Sequence, residues 1–592
     1  MAKLRLHLGK SADNEPVFYA KISYEQTRAR KALHRAGFYY AGESSDIPSP
    51  GCVPLHAWWT KKTEAAVHFL DFADADAKAI LLPVATHMAS SRATDCTEFN
   101  DALVPRGKKP YGFQKAGVTF ALKRYAAGKK GVLIADQMGL GKTIQAILIS
   151  NSLPIGAKIL VLCPASVISN WGTEWARWDT RGRRVSLITD TYQKPGTDVL
   201  VINYDRFATA SGDDITTALM TQRWSLIVLD EIHRCKNPAA RKTRNIFGHY
   251  VGGQRVSPGL VHAGERVLGL TGTPVENRVK EFLPVLRALD AEVARDEASY
   301  LFRFCGAVQR KDGAWDFEGS TRCEQLQDAL RSDVMVRRLK SQVFYDMPPK
   351  IRTVASLDCG NTAETYRKRE RSVISGLDKL EADVSALRED GKDFAKAVGS
   401  LTSQHCPFHE VAALRAALAV VKAPAVCQYV ADLLGSSGGK LIVFGHHKIL
   451  LDVLDRCFGG RATVRIDGGT EVKKRQEIVD AFQTDPRIRL AILSTRAAGV
   501  GLNLTAAPTV VFAEADWNPA WLQQAEDRVH RIGQMAEVVN IHYLVVDGTL
   551  DAHVIQVAIA KMDVAERVLD TEYDLDAEGI EAETQFQEEA AG

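Results

Sequence analysis

Several features that mark specialised protein classes are missing from this sequence. Its 10 cysteines are scattered over 592 residues without a CxxC pair, which argues against a disulfide framework and against a zinc finger. No apolar run approaches the length of a membrane span, and the first residues lack the hydrophobic region of a secretory signal. We therefore expect an intracellular protein of the cytoplasm or nucleoid, with reduced thiols and no membrane partner.

A strong charge of either sign is also missing, because the formal net charge is only +3. The charge is unevenly distributed, however. Residues 570–592 contain nine acidic and no basic side chains, which leaves about +12 on the rest of the chain. A basic body favours phosphate binding, whereas the acidic tail has few apolar residues to bury and is predicted to be disordered. An alternative is that the tail folds back over a nucleic-acid cleft.

Short apolar runs alternate with helix-like stretches in two parts of the chain. The first series includes residues 159–162, 199–202 and 226–229, and the second includes 440–444, 490–494 and 540–544. Alternation of this kind predicts two parallel sheets flanked by helices. Residues 280–424 lie between the two series, are mostly charged and helix-forming, and show no series of strands. A length of 592 residues is sufficient for three or four domains.

A glycine-rich segment, DQMGLGKT at residues 136–143, follows one apolar run and precedes a helix-like stretch. In this context backbone N–H groups and a helix N-terminus would bind phosphates. Lys142 would contact the β and γ phosphates, and the Thr143 hydroxyl would coordinate Mg²⁺. The strict phosphate-loop pattern has glycine where this chain has Asp136.

Two adjacent carboxylates, Asp230 and Glu231, follow another apolar run. At the carboxyl end of a strand, Asp230 would hold the Mg²⁺ and Glu231 would orient and deprotonate an attacking water. An Asp-Glu pair alone is common on protein surfaces, so its position after the phosphate loop is what favours this role. Further along, the hydroxyl-rich turn at 270–274 would sense loss of the γ-phosphate.

Near the other end of the chain, Gln524, Arg528 and Arg531 are spaced i, i+4 and i+7. On a helix these three side chains would share one face. Two guanidinium groups there would stabilise charge that develops on the γ-phosphate. A solvated basic face is the alternative interpretation of this spacing.

Taken in order, these segments resemble the Swi/Snf-type ATPases of helicase superfamily two. The resemblance covers roughly residues 109–569, and departures from the family pattern are small: Gln137, Ile232 and Glu276 replace the usual Glu, Ala and Gln. Asp136 is usual for this family. The matching segments are 111–117, 136–143, 163–171, 203–205, 230–233, 270–277, 443–448, 494–499 and 524–534.

The resemblance implies an α/β fold of two RecA-like parallel-sheet lobes, with a helical insertion between them and a small α+β domain at the N-terminus. The expected divisions are an N-terminal accessory domain at 1–104, lobe one at 105–300, a helical protrusion and linker at 301–424, lobe two at 425–569 and the acidic tail at 570–592.

Site residues also follow from the resemblance. ATP and Mg²⁺ are the expected cofactors, and the catalytic residues would be Lys142, Asp230, Glu231, Arg528 and Arg531. Thr143 and Asp230 would hold the metal ion. The nucleotide would be bound by Phe113, Gln114, Asp136, Met138, Gly139, Leu140, Gly141, Lys142, Thr143, Gln524, Arg528 and Arg531. The DNA backbone would be bound by Ser166, Asn203, Thr271, His446, Lys448 and Thr495.

Within the family the chain is most similar to the HepA-related branch of annealing helicases and fork-remodelling enzymes, and we expect a bacterial or phage member active in DNA repair. An ATP-dependent translocase on double-stranded or forked DNA, with single-stranded DNA as a further ligand, is the function this implies. An RNA or RNA-polymerase-associated ATPase and a non-catalytic DNA-binding scaffold remain alternatives. This similarity is carried by residues 314–320, 336–341, 445–448, 465–468, 512–514 and 517–519.

Aromatic and basic residues alternate in the first hundred positions, among them Phe18, Phe38, Trp58, Trp59 and Lys61. Aromatic rings beside cations can stack on bases and bind phosphates. The same residues can equally form the core of a small domain with a solvated basic rim. Both interpretations stay open at the level of sequence.

Overall fold

The computed structural model places the chain in two compact units, which are described separately. One unit contains Met1–Gln309, Trp315–Val343 and Asp563–Gly592, and the other contains Arg310–Ala314 and Phe344–Met562. The structure describes residues 3–22, 27–41, 50, 52–54, 57–188, 196–275, 278–310, 312–344, 347–371, 407–436, 438–495, 504–514, 519–531, 534–549, 551–552, 554–555, 558 and 581–582.

The first unit begins with a small antiparallel sheet of four strands in the order β2-β3-β5-β4. One face of this sheet packs on helices, because Leu6, Phe18 and Ala20 join a core with Leu33 and Phe69. Its elements are β1 (Lys3–Leu4), β2 (Leu6–Lys10), β3 (Pro16–Ala20), α1 (Thr27–Ala36), β4 (Tyr39–Tyr40), β5 (Trp58–Thr60), α2 (Thr63–Val67) and α3 (Ala75–Ser90).

The rest of the first unit is built on a seven-stranded parallel sheet. Its central strands are apolar and buried except for Asp230 at the end of β10, as expected for parallel strands covered by helices on both faces. The strands are β6 (Gly131–Ile134), β7 (Ile159–Cys163), β8 (Val185–Ile188), β9 (Val199–Asn203), β10 (Leu226–Asp230), β13 (Val267–Leu270) and β16 (Met335–Val336), in the order β16-β6-β13-β10-β7-β9-β8.

Helices and two hairpins complete this unit. The hairpins are β11 (Gly248–Val251) with β12 (Gln254–Pro258), and β14 (Val308–Gln309) with β15 (Trp315–Asp316). The helices are α4 (Gly112–Ala126), α5 (Lys142–Asn151), α6 (Ile168–Trp178), α7 (Ser211–Met220), α8 (Arg241–Phe247), α9 (Leu283–Ala288), α10 (Glu297–Phe304), α11 (Cys323–Arg331) and α12 (Lys340–Val343).

The second unit contains a six-stranded parallel sheet in the order β17-β22-β21-β18-β20-β19. Its strands are β17 (Lys350–Ser356), β18 (Leu441–Gly445), β19 (Thr463–Ile466), β20 (Leu490–Ser494), β21 (Thr509–Phe512) and β22 (Val539–Val545). Its helices are α13 (Pro407–Ser436), α14 (Lys448–Phe458), α15 (Val472–Thr484) and α16 (Pro519–Val529).

Helix α13 contains a stretch, Ala412–Ser436, that is long and apolar enough to meet a length and composition test for a membrane span. The sequence prediction that no run approaches this length was therefore wrong. In the structure Leu414, Leu418 and Val426 of this helix join the core beside the second sheet. Lys422 is buried within it and pairs with Asp551 at 2.5 Å. Packing in this unit accounts for the apolar character of these buried residues.

Comparison with the sequence predictions confirms the α/β class and both parallel sheets. Residues 280–424, for which the sequence predicted no series of strands, contain isolated ones: β16 and β17 are edge strands of the two sheets, and β14 and β15 form a hairpin. In the N-terminal part, Phe18, Phe38 and Trp59 are buried, so packing accounts for these three rings.

The acidic tail falls mostly outside the described residues, and its predicted disorder stays a prediction. Its two described residues form β23 (Glu581–Ala582), which pairs in parallel with β1.

Candidate nucleotide site

A glycine-rich loop connects β6 to α5 at the carboxyl edge of the first sheet. Two of its residues, Gly139 and Gly141, have φ angles of 88° and 75°, a left-handed conformation that favours glycine. Lys142 is the first residue of α5, and its Nζ donates to the carbonyl oxygen of Asp136 at 2.9 Å. Burial lowers the pKa of Lys142, and the nearby Glu231 carboxylate opposes that shift. The predicted phosphate lysine is therefore held over the loop.

The loop is packed closely against the turn that follows β13. A Cβ atom added at Gly272 would lie 2.4 Å from Cγ of Met138 and 3.3 Å from Nζ of Lys142. Only glycine fits there without displacing the loop. Met138 and Leu140 have buried side chains, so only their backbone groups could face a phosphate. The structure thus brings the phosphate loop and the hydroxyl-rich turn together, as the sequence predicted.

Asp230 is the last residue of β10, two strands from the loop in the same sheet. Its Oδ2 accepts a hydrogen bond from Nε1 of Trp171 at 2.8 Å. Burial, with the charge of Glu231 beside it, raises the pKa of Asp230 to about 7, although the Trp171 bond opposes this shift. A carboxylate in this setting is stabilised in its charged form by a cation.

Glu231 has an unusual backbone for a side chain of its size, with φ at 52°. Glu231 adopts this conformation directly after β10, which ends at Asp230. In the described part of the chain, its buried Oε2 and the buried Oγ1 of Thr273 have no hydrogen-bond partner. Oε2 lies 3.5 Å from Nδ1 of His233. Buried polar oxygens without partners fit a site for a metal ion, a water and phosphate oxygens.

Two predicted nucleotide ligands, Phe113 and Gln114, have other roles in the structure. Phe113 is 2% exposed, so its ring cannot offer a face to adenine in this conformation. Tyr111 stacks on it with ring centroids 5.6 Å apart and is itself 48% exposed. Gln114 is buried, accepts from the Tyr111 backbone N–H at 3.0 Å and donates to the Leu140 carbonyl at 3.2 Å. Gln114 therefore connects the start of α4 to the phosphate loop.

The Asp136 side chain also points away from the place predicted for it. It is fully buried and pairs with Arg338, also fully buried, at 2.5 Å. Gln145 of α5 donates to the same carboxylate at 2.8 Å. Because its oxygens bond to protein groups, only the backbone of Asp136 is left to contact a nucleotide, and the predicted contact of this residue stays a prediction.

The predicted arginine pair belongs to the second unit. Helix α16 ends at Val529, so Gln524 and Arg528 lie on it whereas Arg531 lies two residues beyond its end. The prediction of three side chains on one helix face was therefore wrong for Arg531. Burial lowers the pKa of Arg531, and Asp527 opposes that shift. Arg528 is buried, and its carbonyl accepts from the Leu504 N–H.

Predicted DNA-contacting residues of the first unit follow strands of its sheet. Ser166 is partly exposed after β7, and Asn203 ends β9, where its Oδ1 accepts from the Arg206 N–H at 3.2 Å. Thr271 follows β13, is fully buried, and its Oγ1 lies 2.9 Å from Nδ1 of His233. A direct DNA contact by Thr271 would require a change in this arrangement.

In the second unit the corresponding residues also follow strands. His446 follows β18, and its backbone N–H donates to Glu514 at 2.7 Å. Lys448 is exposed at the start of α14. Thr495 follows β20, is 1% exposed, and donates to the Gly445 carbonyl at 3.1 Å. Contacts of all six residues with DNA stay predictions.

Sequence reasoning missed two residues of this site. Trp171 was recognised only as part of a matching segment, although its indole donates a hydrogen bond to Asp230, the carboxylate predicted to hold Mg²⁺. Tyr111 was overlooked in favour of its neighbour Phe113. The signal for Tyr111 was its place one residue before α4, since the residue before a helix is more often exposed than the one inside its first turn.

Comparison with known proteins assigns the family. The SNF2-related domain matches residues 113–383, and the helicase conserved C-terminal domain matches residues 422–533. The chain belongs to the SNF2-related ATPases. The ATP-binding and helicase-type character predicted from the sequence is thereby confirmed, and this chain uses ATP as its nucleotide.

Among similar SNF2-related proteins is the DNA annealing helicase and endonuclease ZRANB3 of Homo sapiens, 34% identical over 74% of this chain and 38% of its own length. Another is the Caenorhabditis elegans homologue of the SWI/SNF-related matrix-associated actin-dependent regulator of chromatin subfamily A-like protein 1, which is 32% identical over 77% of this chain and 61% of its own length. The chain therefore spans about two fifths to three fifths of these relatives.

A solved structure, the Sulfolobus solfataricus SWI2/SNF2 ATPase core in complex with dsDNA, shares 20% identity and aligns over 78% of this chain and 98% of its own chain, with a TM-score of 0.35.

Proposed function

We propose that this SNF2-related ATPase is a DNA translocase, which hydrolyses ATP to move along duplex or forked DNA and re-anneals or remodels it. The observation that carries the proposal is the group formed by Lys142, Asp230 and Glu231 at one sheet edge, where the buried Oε2 of Glu231 has no hydrogen-bond partner among the described residues. Such a group suits phosphoryl transfer to water. The names of the similar proteins support DNA as the substrate on which this energy is used.

Nucleotide binding in this proposal begins at the phosphate loop. Lys142 would exchange its bond with the Asp136 carbonyl for the β and γ phosphates, and the backbone N–H groups at the start of α5 would bind phosphate oxygens. Tyr111, half exposed beside the loop, would stack on adenine. Thr143 and Asp230 would hold Mg²⁺, which neutralises charge on the phosphates when it is bound.

Water activation falls to Glu231. Its buried Oε2 has no hydrogen-bond partner among the described residues and is placed to accept a proton from a water. In that step Glu231 takes a proton from the water, the resulting hydroxide equivalent bonds to the γ-phosphorus atom, and the bond from that phosphorus to the bridging oxygen breaks so that ADP leaves. Trp171 keeps Asp230 oriented meanwhile through the bond to Oδ2.

The second unit would supply Arg528 and Arg531 to the same reaction. We propose that they stabilise the charge that develops on the γ-phosphate, and that closing of the two units on ATP accompanies this step. Closure and opening would then alternate with each turnover. DNA gripped alternately by residues of the two units would be moved along its backbone, with little dependence on base sequence.

Backbone contacts would come from Ser166, Asn203 and Thr271 in the first unit. In the second unit they would come from His446, Lys448 and Thr495. The proposal places the protein in the cytoplasm, associated with the nucleoid, where DNA and ATP are both present.

Triplex displacement tests translocation directly. A labelled third strand is bound to a duplex, and its release is followed after ATP is added to wild type or to Glu231→Gln. We expect release by wild type only, and re-annealing of a bubble formed in a duplex in a parallel assay. Wild type that hydrolyses ATP on DNA without releasing the third strand would overturn translocation. Release without re-annealing would restrict the proposal to translocation.

A further inference from the structure

The phosphate loop is attached to a distant segment of the same unit, residues 334–340. Backbone N–H groups of Leu133, Ala135 and Gln137 donate to the carbonyl oxygens of Val334, Val336 and Arg338, at 2.9, 2.7 and 3.0 Å. This ladder continues beyond the end of β6 as far as the loop itself. The loop therefore has a second backbone partner in addition to the strand and helix on either side of it.

Side chains of the same segment reinforce the attachment. Arg337 Nη1 donates to the carbonyl oxygens of Ala135 at 2.7 Å and Gly272 at 3.2 Å. The Lys340 backbone N–H donates to Oε1 of Gln137 at 2.8 Å. The phosphate loop and the turn that follows β13 are thus both bonded to one short stretch of chain, residues 334–340.

At the centre of the attachment is the ion pair between Arg338 and Asp136. Asp136 Oδ1 accepts from the Arg338 backbone N–H at 3.0 Å and from its Nε at 2.8 Å. Asp136 Oδ2 accepts from Arg338 Nη2 at 2.5 Å and from Gln145 Nε2 at 2.8 Å. Four donors saturate this carboxylate, so it cannot also bind a nucleotide or a metal ion.

The ion pair between Arg338 and Asp136 is fully buried and has a fixed geometry. Both side chains have no exposed surface, and a guanidinium pairs with a carboxylate through two parallel bonds that fix its orientation. Arg338 Nη2 also donates to Gln145 Oε1 at 3.2 Å, which connects the pair to the helix that begins with Lys142. A Cβ atom at Gly117 would lie 2.1 Å from that oxygen, so a residue larger than glycine at position 117 would displace the Gln145 side chain.

We propose that Arg338 is a positioning residue for ATP turnover, which sets the phosphate loop through Asp136 and so places Lys142. The inference rests on the proposed function, since it concerns ATP hydrolysis at this loop. It explains why an aspartate at position 136 is compatible with a phosphate loop: the carboxylate is directed away from the pocket, into a bond with Arg338. A loop without this anchor would leave Lys142 displaced from the phosphates.

The test compares Arg338→Ala with Arg183→Ala in the full chain. Arg183 is a matched control, because it is also buried in the same unit and pairs with Asp179 at 2.8 Å through a bond that does not involve the loop. We expect Arg338→Ala to lower kcat by about 100-fold, the cost of a small misplacement in an active site. Arg183→Ala should keep kcat within about twofold at a temperature where both variants are folded.

Chemical rescue separates positioning from general loss of structure. Added guanidinium ion should restore kcat of Arg338→Ala several-fold, whereas ethylammonium, which has the charge without the planar fork, should not. Arg338→Lys and Asp136→Asn preserve most of the side-chain volume and should each lower kcat by at least about tenfold even if the alanine variant fails to fold. Normal kcat in these two variants would overturn the inference, and so would equal losses in Arg338→Ala and Arg183→Ala.

Measuring wild type in the same assay distinguishes failure of the proposed function from failure of the positioning role of Arg338. If wild type shows no ATP turnover under any condition, the proposed function fails. Binding of a fluorescent ADP analogue then tests the loop by itself, and unchanged affinity in Arg338→Lys would overturn the inference. If wild type turns over and Arg338→Lys does so equally, only the positioning role fails.

Discussion

The indole Nε1 of Trp171 donates to Oδ2 of Asp230 at 2.8 Å, which connects the first helix after β7 to the carboxylate at the end of β10. This bond fixes the orientation of the carboxylate that we propose for Mg²⁺. Bonds of this kind to a metal ligand affect metal affinity although they do not touch the metal ion.

Trp171→Phe should therefore lower the affinity for Mg²⁺ more than it lowers the stability of the fold. We expect the Mg²⁺ concentration at half-maximal ATPase activity to rise by about tenfold. Trp175→Phe is the matched control, because Trp175 is equally buried in the same helix while its Nε1 has no hydrogen-bond partner among the described residues. A titration of ATPase activity with Mg²⁺ measures both variants, and an identical midpoint in both would remove Trp171 from the site.

Lys142→Ala and Glu231→Gln should separate binding from hydrolysis. Lys142→Ala removes the cation for the phosphates and should lower kcat by at least about 100-fold, together with nucleotide affinity. Glu231→Gln retains the shape of the side chain but loses the base, so ATP should bind normally while hydrolysis falls by about 100-fold or more. Fluorescent-nucleotide binding and steady-state turnover distinguish the two, and normal turnover in either variant would contradict the role given to that residue.

Tyr111 should determine the affinity for the base of the nucleotide. We expect Tyr111→Ala to raise KM for ATP by about tenfold, because stacking of a base on an aromatic ring contributes about 1–3 kcal/mol. Tyr111→Phe retains the ring and should keep KM close to that of wild type. Steady-state kinetics over a range of ATP concentrations measures this, and an unchanged KM in Tyr111→Ala would show that adenine lies elsewhere.

Glu526 should make the stability of the second unit dependent on pH. Its side chain is fully buried and bonds to Lys350 at 2.6 Å, to Arg352 at 2.8 and 2.6 Å, and to the Tyr543 hydroxyl at 2.7 Å. Burial by itself would raise the pKa of Glu526, but the two cations lower it to about 2. An unfolded glutamate has a pKa of about 4.3.

Since the folded pKa is the lower one, the ionised pair stabilises the fold fully above about pH 5 and loses its contribution as the pH falls towards 2. Glu526→Gln should lower the free energy of unfolding by about 3 kcal/mol near neutral pH, with a difference from wild type that shrinks between pH 5 and pH 3. Denaturant titrations at several pH values measure this. Glu477→Gln, at an exposed position, is the control, and a difference independent of pH would contradict the assignment.

Much of the nucleotide site was predictable because it depends on local sequence. Lys142, Asp230 and Glu231 each follow a strongly apolar strand, and the carboxyl ends of parallel strands meet at one sheet edge. A glycine-rich turn before a helix similarly predicts the phosphate loop without knowledge of the remaining chain.

The features that the sequence did not reveal depend mostly on residues that are far apart along the chain. Asp136 bonds to Arg338, which is 202 positions away, and no local sequence pattern indicates that pairing. The edge strand β17 was missed because most of its residues are exposed or polar, and its pairing with β22 crosses almost 200 residues. Arg531 was placed on a helix by its spacing, although the helix ends two residues earlier.

The most direct test of the account is steady-state ATPase activity with different nucleic acids. Wild type and Lys142→Ala are compared without nucleic acid and with single-stranded DNA, duplex DNA, forked DNA and RNA at one salt concentration, since phosphate binding depends strongly on salt. We predict turnover by wild type that duplex or forked DNA stimulates well above RNA, with none by Lys142→Ala. Stimulation by RNA in preference to DNA, or silence of wild type with every nucleic acid, would contradict the proposal of a DNA translocase.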